Sequence, residues 1–133
     1  MNPNKKVVIT VFSFMLAMLV IACSCSSLIP TSLSNQETIP GLAGTWKDPQ
    51  TSDTFVIAWQ NGQYVVTSVT WETTSYSITS QSWTDSTLTW SYYDTDLSLT
   101  VTYSTTSLSG DSLNVNWSYS DGASGAETLS RVQ

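Results

Sequence analysis

Two cysteines, ten carboxylates, six tryptophans and no histidine are the side chains from which any chemistry in this 133-residue chain must be built. Without His there is no imidazole to carry a proton, so Ser/His/Asp and Cys/His nucleophilic catalysis are excluded. Cys23 and Cys25 form a lone Cys-x-Cys pair beside a strongly apolar stretch, which is poor metal-ligand or redox chemistry. A glycoside-hydrolysing pair needs one carboxyl of raised pKa inside a cleft. Asp94, Asp96 and Asp111 are the candidates, yet all three fall in turn-forming sequence, where Asp is favoured for its local backbone bonds. Asp94-Thr95-Asp96 also has part of a calcium loop but lacks the glycine and the later bidentate Glu that complete one. The expectation is a protein that is not an enzyme and uses no cofactor and no metal.

The tryptophans offer a different kind of recognition. Indole faces bind sugar rings through apolar contact, although most large aromatics in a small β domain are core. Trp59, Trp90 and Trp117 sit in alternating apolar positions and are expected inside. Trp71 and Trp83 have no assigned face and stand as the candidate ligand or partner surface. Charge narrows the partners further. The chain carries −6 overall, and with Lys5 and Lys6 in the leader only Lys47 and Arg131 face ten acidic residues. Such a surface does not neutralise a phosphate backbone, so neither nucleic acid nor direct electrostatic docking to anionic lipid is expected.

The elements that position these residues begin with an address. Asn4-Lys5-Lys6 is a short positive start, and residues 7–22 are apolar except for Thr10 and Ser13. The run has the length of a secretory h-region and falls short of the roughly 20 residues that span a bilayer. It ends in Val20-Ile21-Ala22-Cys23, a small residue before a cysteine. This order of features resembles a bacterial lipobox. The resemblance implies a signal peptide over 1–22, cleavage before Cys23, and lipidation of Cys23 as the new N-terminus. More than one acyl chain then anchors the protein stably to a membrane, on the extracytoplasmic side of the cell envelope. Ser24 after the cysteine is compatible with transfer to an outer membrane. An uncleaved signal anchor reaching Leu28-Ile29, or a secretory signal cut elsewhere, are the competing readings. Cys25 has no assigned role.

Residues 23–40 are rich in Ser, Thr and Pro and read as a tether. Residues 41–133 read as one antiparallel β domain. Period-two alternation predicts strands over 43–48, 54–60, 63–72, 76–83, 87–93, 97–104, 113–120 and 126–132. Turns are expected at Asn61-Gly62, Asp85-Ser86, Asp94-Thr95-Asp96, Ser109-Gly110-Asp111 and Asp121-Gly122. Asn61-Gly62 has the composition of a type I′ hairpin and would set Trp59 opposite Tyr64 and Ile57 opposite Val66. About eight such strands imply a small up-and-down barrel, with an open β-sandwich as the alternative. Its filled interior is expected to contain Phe55, Ile57, Trp59, Val66, Leu88, Trp90, Leu99, Val101, Leu113, Val115 and Trp117. The register of 76–83 depends on whether the Thr73-Thr74-Ser75 loop has two or three residues.

Gly44-Thr45-Trp46 in the first strand is similar to the Gly-x-Trp that opens lipocalin-like barrels. Arg131, in the last strand, stands where those barrels pack an Arg over that Trp. The resemblance implies a reduced lipocalin-like barrel in which Gly44, Trp46 and Arg131 are a structural signature. Two functions follow as expectations. One is a lipid-anchored envelope module binding a small apolar molecule, a glycan or a protein partner, a hydrolase among them. The other is a passive coat protein. An open cavity favours the first and a filled barrel with a uniformly polar exterior favours the second. For the anchor, Cys23→Ser is expected to abolish acyl labelling and to accumulate precursor, while Cys25→Ser leaves both near normal. Normal processing of the Cys23 variant contradicts the lipobox.

Overall fold

The computed structural model describes residues 36–133; the leader, Cys23, Cys25 and most of the expected tether lie outside them. Alternating β-branched, aromatic and hydroxyl residues form nine strands and, among the described residues, no helix. These are β1 (Gly44–Lys47), β2 (Asp53–Gln60), β3 (Gln63–Trp71), β4 (Thr74–Tyr76), β5 (Ile78–Thr84), β6 (Thr87–Asp94), β7 (Leu99–Ser109), β8 (Ser112–Tyr119) and β9 (Ser124–Arg131). All neighbours are antiparallel.

Turn residues set the register. Asn61 and Gly62 take φ of +53° and +81°, as the two-residue primed turn requires. They place Trp59 opposite Tyr64 and Ile57 opposite Val66. Asp85 and Ser86, at +50° and +66°, close the β5–β6 hairpin in the same way. Between β3 and β4 the turn is Glu72-Thr73, because Trp71 pairs with Thr74. This is one residue earlier than the expected loop, with Glu72 at φ +50°.

The segment expected as a single strand is bent at Ser77, β4 pairing with β3 and β5 with β6. The strand order is β4-β3-β2-β1-β9-β8-β7-β6-β5, so the two edges of the sheet are the two halves of this bent strand. A sheet whose edges are joined by one residue is a nearly closed, up-and-down barrel. The open sandwich is not formed. Where β3 and β5 diverge, a side chain bridges them: Gln81 Oε1 accepts the Val66 N–H at 2.7 Å. That bond occupies a backbone donor that an open edge would leave free.

The first and last strands make the second seam. Their backbones pair at two positions only, Trp46 with Arg131 and Lys47 with Ser130. Arg131 supplies the rest. Its guanidinium carbon lies 4.2 Å from the Trp46 ring centroid. It donates to the Ala43 carbonyl at 3.1 Å and to the Gly41 carbonyl, and pairs with the Asp111 carboxylate at 3.2 Å. Trp46 is fully buried and donates its indole N–H to the Leu42 carbonyl at 2.9 Å. Gly44 leaves room for this arrangement. Its φ is +153°, and a Cβ there would collide with Arg131 Nη1.

Phe55, Ile57, Val66, Leu88, Trp90, Val101, Leu113 and Val115 are buried. Trp59, Leu99 and Trp117, expected with them, are only partly buried, because each lies near a strand end. Three bulges re-aim side chains along the ladders. Thr67, Thr79 and Thr106 are the extra residues, and the first returns Val69 to the interior beside Phe55. Leu97 departs from its expected strand and is 53% exposed. Asp94 Oδ1 accepts the N–H of Asp96 at 2.8 Å and of Leu97 at 3.0 Å, which holds Leu97 in the loop. β7 therefore starts at Leu99, and it runs on to Ser109. Packing also reaches back to Ile39, whose N–H and carbonyl both bond the Tyr64 hydroxyl, at 3.1 and 2.5 Å.

The Arg131 seam has a direct test by denaturant unfolding. Arg131→Lys keeps the charge but loses the planar stack, with an expected loss of roughly 0.5–2 kcal/mol. Gly44→Ala adds backbone strain and the collision, with an expected loss of about 1–3 kcal/mol. Neutral behaviour of both variants would mean that the two backbone pairs hold the seam alone.

Candidate functional site: an acidic aromatic cup

An up-and-down barrel puts alternate connections at opposite ends. The β2–β3, β5–β6 and β7–β8 hairpins share the end capped by Arg131. The β1–β2, β3–β4, β6–β7 and β8–β9 connections share the other, and there the carboxylates collect. Asp48, Asp53, Glu72, Asp94, Asp96 and Asp121 all lie in or beside those connections.

That acidic end holds an open cavity of about 340 Å³. Its aromatic wall is Trp71, Tyr76, Tyr92 and Tyr119, its carboxylates are Asp53, Asp94 and Asp96, and Leu97 lies among them. Inward alternation on β6 delivers Tyr92 to the floor. There it stacks on Tyr103 at 6.3 Å and 9°, and Tyr103 stacks on Trp90 at 5.2 Å and 10°. Tyr76 packs on Tyr92 at 5.2 Å, and Phe55 packs against Trp90 and Tyr103 at 5.3 and 4.9 Å. The floor is thus the top of the core, and it is rigid because the core is packed.

The rim is fixed by local bonds. Trp71 is 36% exposed and donates its indole N–H to the Thr51 carbonyl at 2.7 Å, which sets one ring orientation. The Thr51 hydroxyl sits between the Asp48 and Asp53 carboxylates, 2.7 Å from each. Asp48 also accepts the Gln50 N–H at 2.7 Å, so this buried carboxylate organises the β1–β2 loop. Across the cup, the Asp94 turn does the same for the β6–β7 loop.

Trp71 and Trp83 do not form a pair. Trp83 packs edge-on against Tyr64 at 4.9 Å, and Tyr64 against Trp59 at 4.6 Å, towards the Asn61-Gly62 end. Asp111 also belongs to that end, with Arg131. The structure adds Asp53, Tyr76, Tyr92 and Tyr119 to the site. Strand alternation on β6 and β8 points Tyr92 and Tyr119 inward; no local signal marks an inward Tyr as lying at an opening. Gly44, Trp46 and Arg131 lie together at the far end, away from the cup.

The charge lining the cup is one-sided. No Lys or Arg lines the cup, and low-dielectric aromatic walls focus the carboxylate potential. Burial raises the Asp53 carboxyl above its usual range, and the Asp48 and Asp94 charges add to this. Glu127, pointing inward from β9, is pushed up to about 7 by burial and then by Asp48. Burial also raises Tyr92 and Tyr103 above the ordinary phenol range, so both are neutral donors at any physiological pH. Among the described residues, no group of three or more His, Cys, Asp or Glu is placed to hold a metal ion.

Raised carboxyls give stability a definite pH dependence. The fold prefers protonated Glu127, whose unfolded value is near 4.5 and whose folded value is about 7. Its favourable contribution is therefore complete below the unfolded value and is lost as pH rises through 7, and Asp53 acts with the same sign. The midpoint of thermal unfolding is expected to rise from pH 8 to pH 5. Glu127→Gln should raise the midpoint at pH 8 and remove most of that slope. A midpoint that falls over the same interval contradicts the assignment.

No family model, no curated protein and no solved structure matches this chain.

Proposed function

We propose that this protein is an envelope binding module, anchored through lipid on Cys23, that takes a small organic cation with an apolar body into its acidic aromatic cup. One observation carries the reading. A cavity of about 340 Å³ combines four aromatic side chains with three carboxylates and no basic residue. Aromatic faces attract cations through their quadrupole, and ammonium groups also pair with carboxylates. An anionic ligand would meet three like charges, and a purely apolar one would leave those carboxylates desolvated without a partner. An open cavity with a rigid floor also favours binding over a passive coat role. The lipid anchor and the lipocalin-like character of the barrel belong to this proposal and rest on the leader and on the Gly44, Trp46 and Arg131 positions. In such an arrangement the barrel is held at the membrane surface and the cup samples the surrounding medium.

The test is a titration of the full-length protein in detergent, read by tryptophan fluorescence. Benzyltrimethylammonium is compared with its neutral carbon isostere neopentylbenzene, with maltose and with a fatty acid. The cation is expected to bind saturably and roughly 2- to 30-fold more tightly than the isostere, the range spanned by one cation–aromatic contact. Trp71→Ala and Asp53→Asn should each weaken it. Preference for maltose, fatty acid or the neutral isostere, or no binding at all, overturns the reading.

A further inference from the structure

The wall of the barrel is incomplete along β9. β1 ends at Lys47 after two pairs with β9, so β9 from Ser124 to Leu129 has no β1 neighbour. The direction of the backbone identifies the groups left over. Arg131 donates its N–H to Asp111 on the β8 side, and Val132 donates to Thr45 on the β1 side. Such groups alternate sides along an antiparallel strand, so the N–H and C=O of Ala126 and Thr128 point towards the missing neighbour. Both residues are exposed, and so is Gly125, although its position faces inward. Sheet edges are commonly blunted by Pro, Lys or a bulge. Residues 124–129 contain neither Pro nor Lys, and their pairing with β8 runs without a register shift.

The slot beside this edge has a definite chemistry. It is an open cavity of about 250 Å³ between β9 and the β1–β2 loop, and no Lys or Arg lines it. Glu127 faces into it, with the Tyr103 hydroxyl and the Asp48 carboxyl as its hydrogen-bonding neighbours. Two residues along, Gly125 contributes no side chain and the Trp117 ring lies across it, where a Cβ would come within 2.7 Å of Trp117 Cζ2. Residues opposite one another across a ladder share a face. A strand laid along β9 therefore puts one inward side chain against a carboxylate and the next against an indole. A second copy of this chain, at a net charge of −6, would bring further carboxylates to the slot. Charge complementarity selects a basic segment instead.

We infer that the free edge of β9 docks an extended peptide segment of a partner protein, which adds as a strand in line with β1 and carries a Lys or Arg opposite Glu127. The segment runs antiparallel to β9, as β1 does. Its residues opposite Ala126 and Thr128 exchange both backbone bonds with them and face outward. The basic side chain enters the slot beside Glu127 and Asp48, and an apolar residue two positions later covers Trp117 at Gly125. Backbone bonds supply the affinity and the two inward side chains supply the selectivity. The inference goes beyond the cup: it requires nothing to be bound there, and either reading can fail alone.

The probe is acetyl-Thr-Lys-Thr-Phe-Thr-amide, titrated by calorimetry into the full-length protein in detergent, with amide hydrogen exchange measured on the complex. Work at pH 8 keeps Glu127 ionised, since burial raises it only to about 7. Exchange of the Ala126 and Thr128 amides is expected to slow on binding. Replacing the peptide's lysine by glutamate should weaken binding by about tenfold or more, and Glu127→Gln should cut that preference by about threefold or more. N-methylation of the central threonine, whose N–H meets Ala126, should weaken binding by about tenfold. N-methylation of the lysine, whose N–H points away from β9, should change it by less than about twofold. Equal effects of the two N-methyl groups, or no slowing at Ala126 and Thr128, overturn strand addition. Displacement of the peptide by benzyltrimethylammonium assigns its lysine to the cup and overturns the docking site. Amides of Ala126 and Thr128 that are protected without peptide mean that a second copy or the chain's own N-terminal part holds the edge, and this overturns the inference, as does absence of binding.

Discussion

The guanidinium of Arg131 spread on the Trp46 indole is the contact through which a ribbon of hairpins becomes a barrel. Every other β-ladder joins strands that are neighbours in sequence, and each can form from its own turn. β1 and β9 share two residue pairs, and Arg131 adds to them the indole and two carbonyls from the start of the domain, together with Asp111. A seam with so few backbone bonds needs a side chain that donates in several directions from one plane. Arg does this and Lys does not. The same seam explains why Gly44 is glycine, since the guanidinium occupies the volume a Cβ would take.

Closure at one end permits opening at the other. Because Arg131 holds β1 and β9 together where the hairpins cluster, β1 is free to leave the sheet after Lys47 and to continue as the loop organised by Asp48. That departure makes the β1–β2 side of the cup. The cluster of carboxylates is a destabilising choice, as the upward displacement of Asp53 and Glu127 records. Protein ends that spend stability on like charges without internal partners are where ligands of opposite charge gain most.

How much of this was legible depends on the range of the interaction. Period-two alternation and Asn61-Gly62 report local preferences, so strands, hairpin register and most of the interior could be read directly. The exceptions have physical causes. Leu97 reads as a strand residue by alternation, but Asp94 captures its N–H and turns it outward. Val69 comes inward only because Thr67 bulges, and a bulge leaves no composition of its own. Trp71 and Trp83 looked equivalent in sequence; the bend at Ser77 and the positions of their strands send them to opposite ends. The cup is assembled from β1–β2, β3–β4, β6–β7 and β8 residues. Asp94 and Asp96 were visible individually as turn residues and Asp53 was not; that the three share one end follows from strand parity, which a single misplaced turn would have reversed.

The stack that begins with Tyr92 at the cup floor and passes through Tyr103 to Trp90 also makes the interior a chain of chromophores. The three rings are within 10° of parallel at successive spacings of 6.3 and 5.2 Å. Rings held this close exchange excitation, which couples both tyrosines to Trp90. Their electronic transitions also mix into bands of strong rotational strength. One end of the column lies at the floor of the cavity and the other is fully buried in the core. The interior of the barrel is therefore one optical unit that runs from the mouth of the cavity into the core.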